Sequence, residues 1–510
     1  MNPRSSLSLW STLALLVSCA GAPVKPAERP NVIFLLIDQV RADAIGAYGG
    51  AKNISTPNID RLAKQGVVFT NAISAVPLCT PYRGMLMTGR YPTHTGLVLN
   101  WVEANPKERS IAHAFGDAGY DTGFLGKWHL AAGFKKFDGD SVATAEDRAR
   151  LKVHRAAYRK RNLETEFVPP GPARLGFQHW EAYNFHVAFN DYYFYRDTKD
   201  RVREEGYETD VLIDQAIAFM KRRETSGKPF FLTVAPHPPH PPFRTKWCPQ
   251  GYLKQIPKRL HWSPNVPEDH PMRRNQIAAR CYYAMIKNAD DNVGRLLDYL
   301  DKSKLGKNTI VVLTSDHGTM LGSHGRRNKM VPYAEAIDIP LIMRWPGRIP
   351  SGHREDSVFT AMDHLPTLCK LAGVRPSDGV DGKDRSAAAL GTAESVSDEG
   401  EMIMNYVSHW DYFDTGTKWP EWRGVRTKRY TYAKWLKGGE ELYDNKVDPY
   451  QMRNLVDEAG SASILARLRK RLKGLMAEAH DEFLPGTAYA DWYDDARVLT
   501  HTALGPVKRP

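Results

Sequence analysis

A cysteine, a proline and an arginine at alternating positions form the most specific local pattern of the sequence, CTPYR at 79–83. Proline is tolerated in the first turn of a helix, so the pattern predicts a helix whose positively polarised amino end holds Cys79. Such an end stabilises an alkoxide or another oxyanion. The plainer alternative is a buried structural cysteine at a helix start. The chemistry that the pattern favours is the handling of an anion at Cys79.

Polar side chains follow three nearly continuous apolar runs, each typical of a parallel strand buried on both faces. Open α/β sheets bind ligands at the carboxyl edge of their strands, so we expect these polar residues to share one site. The runs and their polar residues are 31–38 with Asp38 and Gln39, 229–236 with His237 and His240, and 308–315 with Asp316 and His317.

The elements that must position this site alternate along the chain. Amphipathic helices are predicted at 209–223 and 282–302, between the apolar runs. Strands that alternate with helices indicate a mostly parallel sheet covered by helices on both faces. The fold class predicted from the sequence is therefore α/β.

A smaller unit is predicted to follow, because the pattern of predicted strands and helices changes at about residue 396. Short strands are predicted at 426–435 and 441–443, and a final helix at 467–480. These elements indicate a small α+β C-terminal domain. The predicted organisation is a lipoprotein signal peptide at 1–18, a linker at 19–29, a catalytic domain at 30–395, and a C-terminal small-sheet subdomain and tail at 396–510.

The amino terminus carries an export signal. Arg4 precedes an apolar run, 7–17, that is too short for a spanning helix and typical of a signal peptide. The segment 16–19 (LVSC) also fits a bacterial lipobox, which makes Cys19 the lipidated first residue of the mature chain. Cleavage before Pro23 and simple secretion is the alternative. We expect an exported protein, periplasmic or lipid-anchored in the outer membrane of a bacterium.

Composition and charge exclude several classes of protein. The chain of 510 residues is 42% hydrophobic and 25% charged, which indicates a folded protein rather than a disordered or fibrous one. The net charge of +12 suits an anionic partner, although a merely basic surface explains it equally well. The basic segment 148–161 is read as a solvated helix, with a substrate-facing wall as the alternative. Nucleic acid is disfavoured by the export signal and the absence of a binding motif.

The five cysteines do not form a disulfide framework. Cys19 and Cys79 have other predicted uses, so three remain. An odd remainder allows at most one bridge, for which Cys248 and Cys281 are the candidates.

Together with Thr88-Gly89-Arg90, the CTPYR segment resembles the signature of the formylglycine-dependent sulfatases, Cys-x-Pro-x-Arg with a downstream Thr-Gly. In that family, which belongs to the alkaline phosphatase superfamily, a formylglycine-generating enzyme oxidises the cysteine to formylglycine (3-oxoalanine). The hydrated aldehyde then attacks sulfur. The resemblance implies that Cys79 is this residue and that Arg83 holds a hydroxyl of the hydrate. It also implies an alkaline phosphatase-like fold.

Two further catalytic elements follow in the family's order. The segment 126–129 (GKWH) resembles the family's Lys-x-His element and implies catalytic roles for Lys127 and His129. The segment 229–244 resembles the strand and loop of iduronate-type sulfatases that present a catalytic histidine. We align His240 with that histidine and give His237 a supporting or substrate-binding role, although the two roles could be exchanged.

The resemblance also implies a metal site. Many members have Asp-Asp and Asp-Asn metal pairs, whereas this chain has Asp38-Gln39 and Asp316-His317. Fewer carboxylates mean less charge facing the ion, and we expect Ca²⁺, with Mg²⁺ as the alternative. The implied ligands are Asp38, Gln39, residue 79, Asp316 and His317. Lys329 is the implied second catalytic lysine, and His324 an implied substrate-binding residue.

The expected activity is hydrolysis of a sulfuric ester, with a sulfated saccharide as the substrate. Five aromatic and polar residues could form sugar subsites or belong to the core: Tyr183, Asn184, His186, Tyr192 and Tyr193. One alternative is a phosphate or phosphonate ester hydrolase of the same superfamily. The other is a catalytically inactive, glycan-binding lipoprotein.

Overall fold

The centre of the protein is an eight-stranded sheet. Its strands are β1 (Asn31–Leu36), β2 (Val67–Ala72), β3 (Asp121–Lys127), β4 (His179–Tyr183), β5 (Phe230–Ala235), β6 (Thr309–Thr314), β7 (Leu341–Arg344) and β8 (His353–Phe359). They lie in the order β4-β3-β5-β1-β6-β7-β2-β8. All neighbours pair in parallel except β7, which is antiparallel to β6 and β2. The predicted mostly parallel sheet is confirmed.

The computed structural model describes residues 29–50, 52–131, 167–393, 398–408, 420–494 and 498–507. The predicted signal peptide, the lipobox with Cys19 and the basic segment 148–161 lie outside the described residues. So does the predicted domain boundary at 395–396.

Helices cover both faces of the sheet. The alternation of β1 sends Val32 and Phe34 into one hydrophobic core and Ile33 and Leu35 into the other. The helices are α1 (Pro57–Lys64), α2 (Cys79–Thr88), α3 (Pro92–Thr95), α4 (Ile111–Asp117), α5 (Glu208–Ser226), α6 (Gln250–Leu253), α7 (Pro271–Arg274), α8 (Ile277–Lys302), α9 (Ala334–Ile337), α10 (His364–Ala372), α11 (Ser386–Ala389) and α12 (Ala462–Glu478). α2, α4 and α10 contribute to the first core, and α1, α5 and α8 to the second. The predicted α/β class is confirmed.

A second sheet, antiparallel and four-stranded, follows in the order β12-β11-β10-β9. Its strands are β9 (Glu401–Asn405), β10 (Trp422–Arg426), β11 (Tyr430–Trp435) and β12 (Glu440–Asp444), and a small hairpin pairs β13 (His501–Thr502) with β14 (Gly505–Pro506). Leu468 and Leu475 of α12 are buried against this sheet. The predicted α+β character is confirmed, although β9 was not predicted and the predicted strand 426–435 includes only the last residue of β10.

A disulfide joins Cys248 to Cys281, with the two Cα atoms 5.5 Å apart. It ties the loop after β5 to α8, and it confirms the one candidate bridge. Cys79 and Cys369 are buried free thiols. In the part of the chain that the structure describes, no helix has the length and apolar character needed to cross a bilayer.

Candidate active site

Cys79 is the first residue of α2, as the proline spacing predicted. Its side chain is almost fully buried, with 1% of its surface exposed. The thiol Sγ lies 3.1 Å from Nε2 of His317 and 3.6 Å from Nζ of Lys329. Burial alone would raise the pKa of the thiol, but Lys127 and Lys329 hold it well below its usual range. The site therefore stabilises negative charge at residue 79.

Two buried carboxylates, Asp38 and Asp316, follow β1 and β6. The Arg83 guanidinium donates to both, at 3.2 Å to Asp38 Oδ2 and 3.3 Å to Asp316 Oδ2. It also donates to the backbone carbonyl of Lys127 at 2.7 Å. From the sequence, Arg83 is predicted to hold a hydroxyl at residue 79. In the structure, its guanidinium instead donates to the two carboxylates. The physical reason is that two neighbouring buried anions require a shared counter-charge.

The two carboxyl groups differ in protonation behaviour. Burial tends to raise the pKa of Asp38, but the ion pair between its Oδ2 and Lys127 Nζ holds the pKa well below the usual range. Burial and the neighbouring Asp38 charge raise the pKa of Asp316. Additional positive charge beside this pair would therefore be favourable.

The donor atoms fit a divalent cation. Asp38, Cys79, Asp316 and His317 each offer one ligand atom, and these atoms lie within 4.8 Å of one another. Oδ1 of Asp38 is buried without a hydrogen-bond partner. Nδ1 of His317 donates to the Gly318 carbonyl at 2.9 Å, so Nε2 keeps its lone pair for a ligand. An unpartnered carboxylate oxygen and an imidazole lone pair facing one point are what a metal site requires.

Gln39 connects the metal cluster to Lys329. Its backbone is in the left-handed region, with φ of 64°. The Gln39 N–H donates to Asp316 Oδ1 at 3.0 Å, and its side-chain Oε1 accepts from Lys329 Nζ at 3.0 Å. Gln39, predicted as a metal ligand, therefore lies beside the cluster, where its backbone orients Asp316 and its side-chain oxygen holds Lys329.

Three histidines surround the cluster. The ring of His129 packs on Phe185, and neither of its nitrogens has a hydrogen-bond partner. Burial and then Lys127 lower the pKa of His129 to about 3. His237 is fully buried, and its ring centroid lies 4.5 Å from that of His240. His240 is half-buried, and burial and then Lys329 lower its pKa to about 4.

A cavity of about 210 Å³ opens above the cluster. His240 and Lys329 reach it, whereas His237 is not among its lining residues. Trp101 and Phe185 give it an aromatic wall that no motif predicted, because they come from separate loops. The lining residues are Gln39, Asn100, Trp101, Phe185, Val187, His240, Pro241, Asn328, Lys329 and Met330.

Comparison with known proteins identifies the family. The sulfatase family model matches residues 30–374, the segment that carries the central sheet and all of these side chains. The chain belongs to the sulfatase family. A second model, for the C-terminal part of N-sulphoglucosamine sulphohydrolase, matches residues 322–478. The protein is an enzyme that hydrolyses sulfate esters, on an alkaline phosphatase-like fold.

Named relatives agree with this assignment. The sulfatase is similar to the ulvan-active sulfatase of Formosa agariphila, with 32% identity over 94% of this chain and 88% of that protein. It is 30% identical to the endo-4-O-sulfatase of Bacteroides thetaiotaomicron, over 89% of this chain and 93% of that protein. The solved sulfatase yidJ of Bacteroides fragilis has a TM-score of 0.75 and 28% identity, covering 91% of this chain and 98% of that one. Sulfatases generally use a formylglycine and a divalent metal.

Among the described residues, some that were predicted for the sulfatase's site belong neither to the metal cluster nor to the lining of the cavity. The ring of His324 stacks on Tyr333 at 4.0 Å between centroids, and its Nε2 lies 3.1 Å from Asn265 Nδ2. None of the hydrogen bonds described for His324 reaches the metal cluster. The prediction of sugar subsites is wrong for four of the five residues named for it, because their exposed fractions are at most 2%: Tyr183, Asn184, His186 and Tyr192.

Proposed function

We propose that this sulfatase removes sulfate from a sulfated saccharide, with a formylglycine formed from Cys79 as the nucleophile and Ca²⁺ as the preferred metal. The observation that carries the proposal is the placement of Cys79. It lies at the amino end of α2, between Lys329 and the carboxylate cluster. A saccharide substrate is supported by the similar ulvan-active sulfatase and by an aromatic cavity wall suited to a sugar ring.

The metal would be held by Asp38, Asp316, His317 and residue 79, with Gln39 beside them. A bound divalent cation supplies positive charge that favours ionisation of the attacking hydroxyl and neutralises sulfate oxygens. Arg83 fixes the orientation of the two carboxylates by donating to one oxygen of each. Magnesium is the alternative ion.

A formylglycine at residue 79 would supply, as its hydrate, two hydroxyls on one carbon, one for the attack on sulfur and one whose deprotonation would allow sulfate to leave. Asp316, whose pKa burial and the neighbouring Asp38 raise, is placed to take the proton of the attacking hydroxyl. Lys127 and Lys329 neutralise the sulfate oxygens, because their ammonium groups are held beside residue 79. His240, which lines the cavity, gives a proton to the departing alcohol oxygen as the sulfur–oxygen ester bond breaks. His129 is the base that would accept the proton of the second hydroxyl, so that sulfate could leave and the aldehyde be regenerated.

A comparison of esters on one purified preparation tests the proposal. Sulfate esters of saccharides and of phenols should be turned over, and the matching phosphate esters much more slowly. Exhaustive chelation should remove the activity, and calcium should restore it better than magnesium. Faster turnover of phosphate esters would support the phosphohydrolase alternative. Binding of glycans without turnover by the formylglycine-containing protein would support the inactive-binder alternative.

We also propose that the sulfatase is exported and anchored to a bacterial membrane by a lipid on Cys19. The support is the lipobox LVSC at 16–19 behind a short apolar run. Cys19→Ala should abolish labelling by radioactive palmitate and leave the protein soluble or unprocessed. Cys369→Ala, which removes a buried thiol of α10, is the matched control and should be labelled normally. Continued labelling of Cys19→Ala would refute the anchor.

A further inference from the structure

A buried carboxylate, Glu208, lies behind the catalytic histidines. It is the first residue of α5, and its side chain is 0% exposed. Its Oε1 accepts from the Tyr183 hydroxyl and, at 2.9 Å, from the backbone N–H of His237. Its Oε2 lies 3.1 Å from Nε2 of His186. Glu208 therefore joins the end of β4, the start of α5 and the end of β5.

The tautomer of His186 determines whether the group formed by His186, Glu208 and His237 can bind a metal ion. Nδ1 of His186 accepts from the backbone N–H of Ala188 at 3.2 Å, so the ring proton lies on Nε2, which faces Glu208. His186, Glu208 and His237 offer atoms within 4.8 Å of one another, a set that could also bind zinc. A protonated Nε2 has no lone pair for a metal. The geometry therefore favours, over a metal site, a carboxylate whose Oε1 accepts from one O–H and one N–H donor at the amino terminus of α5.

A short chain of contacts leads from this carboxylate to the cavity. The backbone carbonyl of His237 accepts from the His240 N–H at 3.0 Å, which closes a turn over residues 237–240. The two imidazoles pack with centroids 4.5 Å apart. Because Glu208 holds the His237 N–H, it fixes the first residue of the turn that presents His240.

We propose that Glu208 is a positioning residue for the leaving-group histidine, acting through the backbone of His237 and the ring packing. The inference rests on the proposed role of His240 as general acid. Glu208 neither lines the cavity nor belongs to the metal cluster around Cys79. Its charge and its hydrogen bonds set the angle at which the His240 ring meets the ester oxygen, and misplacement of a catalytic group by about 1 Å costs up to about 10²-fold in rate.

Glu208→Gln tests this proposal, because it keeps the size and one acceptor oxygen and removes the charge. We expect kcat on alkyl and sugar sulfates to fall about 10- to 100-fold, with KM unchanged. Activated aryl sulfates, whose phenolate leaves without a proton, should lose little. In a background that already carries His240→Ala, Glu208→Gln should cause no further loss on alkyl sulfates, since coupled residues are not additive.

The control is Asp210→Asn, two residues further along α5. Asp210 accepts from Asn288 and Asn292 and has no described contact with the histidine turn, so both ester classes should be turned over normally. If Glu208→Gln does not fold, Tyr183→Phe removes one donor to the same carboxylate and should give a smaller loss with the same leaving-group dependence.

Three outcomes would overturn the positioning role. These are equal loss on aryl and alkyl esters, additive loss with His240→Ala, and loss in Glu208→Gln of a metal ion that the wild type holds, measured by elemental analysis. Failure of the proposed function would be recognised separately, because the wild type itself would then turn over neither ester class.

Discussion

Cys79→Ser is expected to end sustained turnover, with a loss of at least about 10³-fold. Serine offers a single hydroxyl in the same polarised position at the start of α2. If that hydroxyl attacks sulfur, the serine carbon carries no second hydroxyl whose deprotonation expels sulfate. The sulfo group should therefore remain covalently attached, and mass spectrometry of the peptide containing residue 79 should find the added mass.

The wild-type peptide measured in the same way should carry formylglycine. Cys369→Ser provides the matched control, because Cys369 is the other buried free thiol among the described residues. Burial raises the pKa of the Cys369 thiol to about 12, so that side chain is inert and its replacement should leave kcat unchanged. Wild-type turnover by Cys79→Ser would refute the formylglycine mechanism.

His240→Ala should divide substrates by their leaving groups. Loss of a general acid costs about 10²- to 10⁴-fold when the departing alcohol needs a proton. A nitrophenolate needs none, so activated aryl sulfates should retain most of their rate. Plots of log kcat against the pKa of the leaving group should become markedly steeper in the variant than in the wild type.

His237→Ala is the comparison that assigns the two histidines. His237 is fully buried behind His240, so its removal should lower the rate for both ester classes, and by less. If instead His237→Ala shows the steep dependence and His240→Ala loses equally on both classes, the acid is His237. An equal loss on both classes in the two variants would move the acid to Lys329.

The sequence predicted the strands of the site well, because strands buried on both faces leave continuous apolar runs. The runs at 31–38, 229–236 and 308–315 enclose β1, β5 and β6 with two extra residues each. The direction of β7 could not be predicted in this way. Its four residues are apolar at three positions whichever way they run, and only pairing with β6 and β2 sets their orientation.

Side-chain contacts also differ in whether the sequence could predict them. Strand ends converge at one sheet edge for geometric reasons, so the meeting of Asp38 with Asp316 followed from the sequence. The partners of Arg83 did not, because they depend on which buried anions lack a counter-charge once the chain has folded. Glu208 was missed for a similar reason. It opens an amphipathic helix as an ordinary acidic residue, and only its burial distinguishes it.

The burial of Cys79 restricts when this residue can be modified by another enzyme. With 1% of its surface exposed, and with α2 packed into the core, residues 79–83 cannot enter the active site of another enzyme. If Cys79 is converted to formylglycine as proposed, the oxidation must precede folding, while this segment is still extended. On that mechanism, a chain that folds first cannot be modified, so the active fraction of a preparation would be determined during synthesis and could not be raised by adding the modifying enzyme to folded protein.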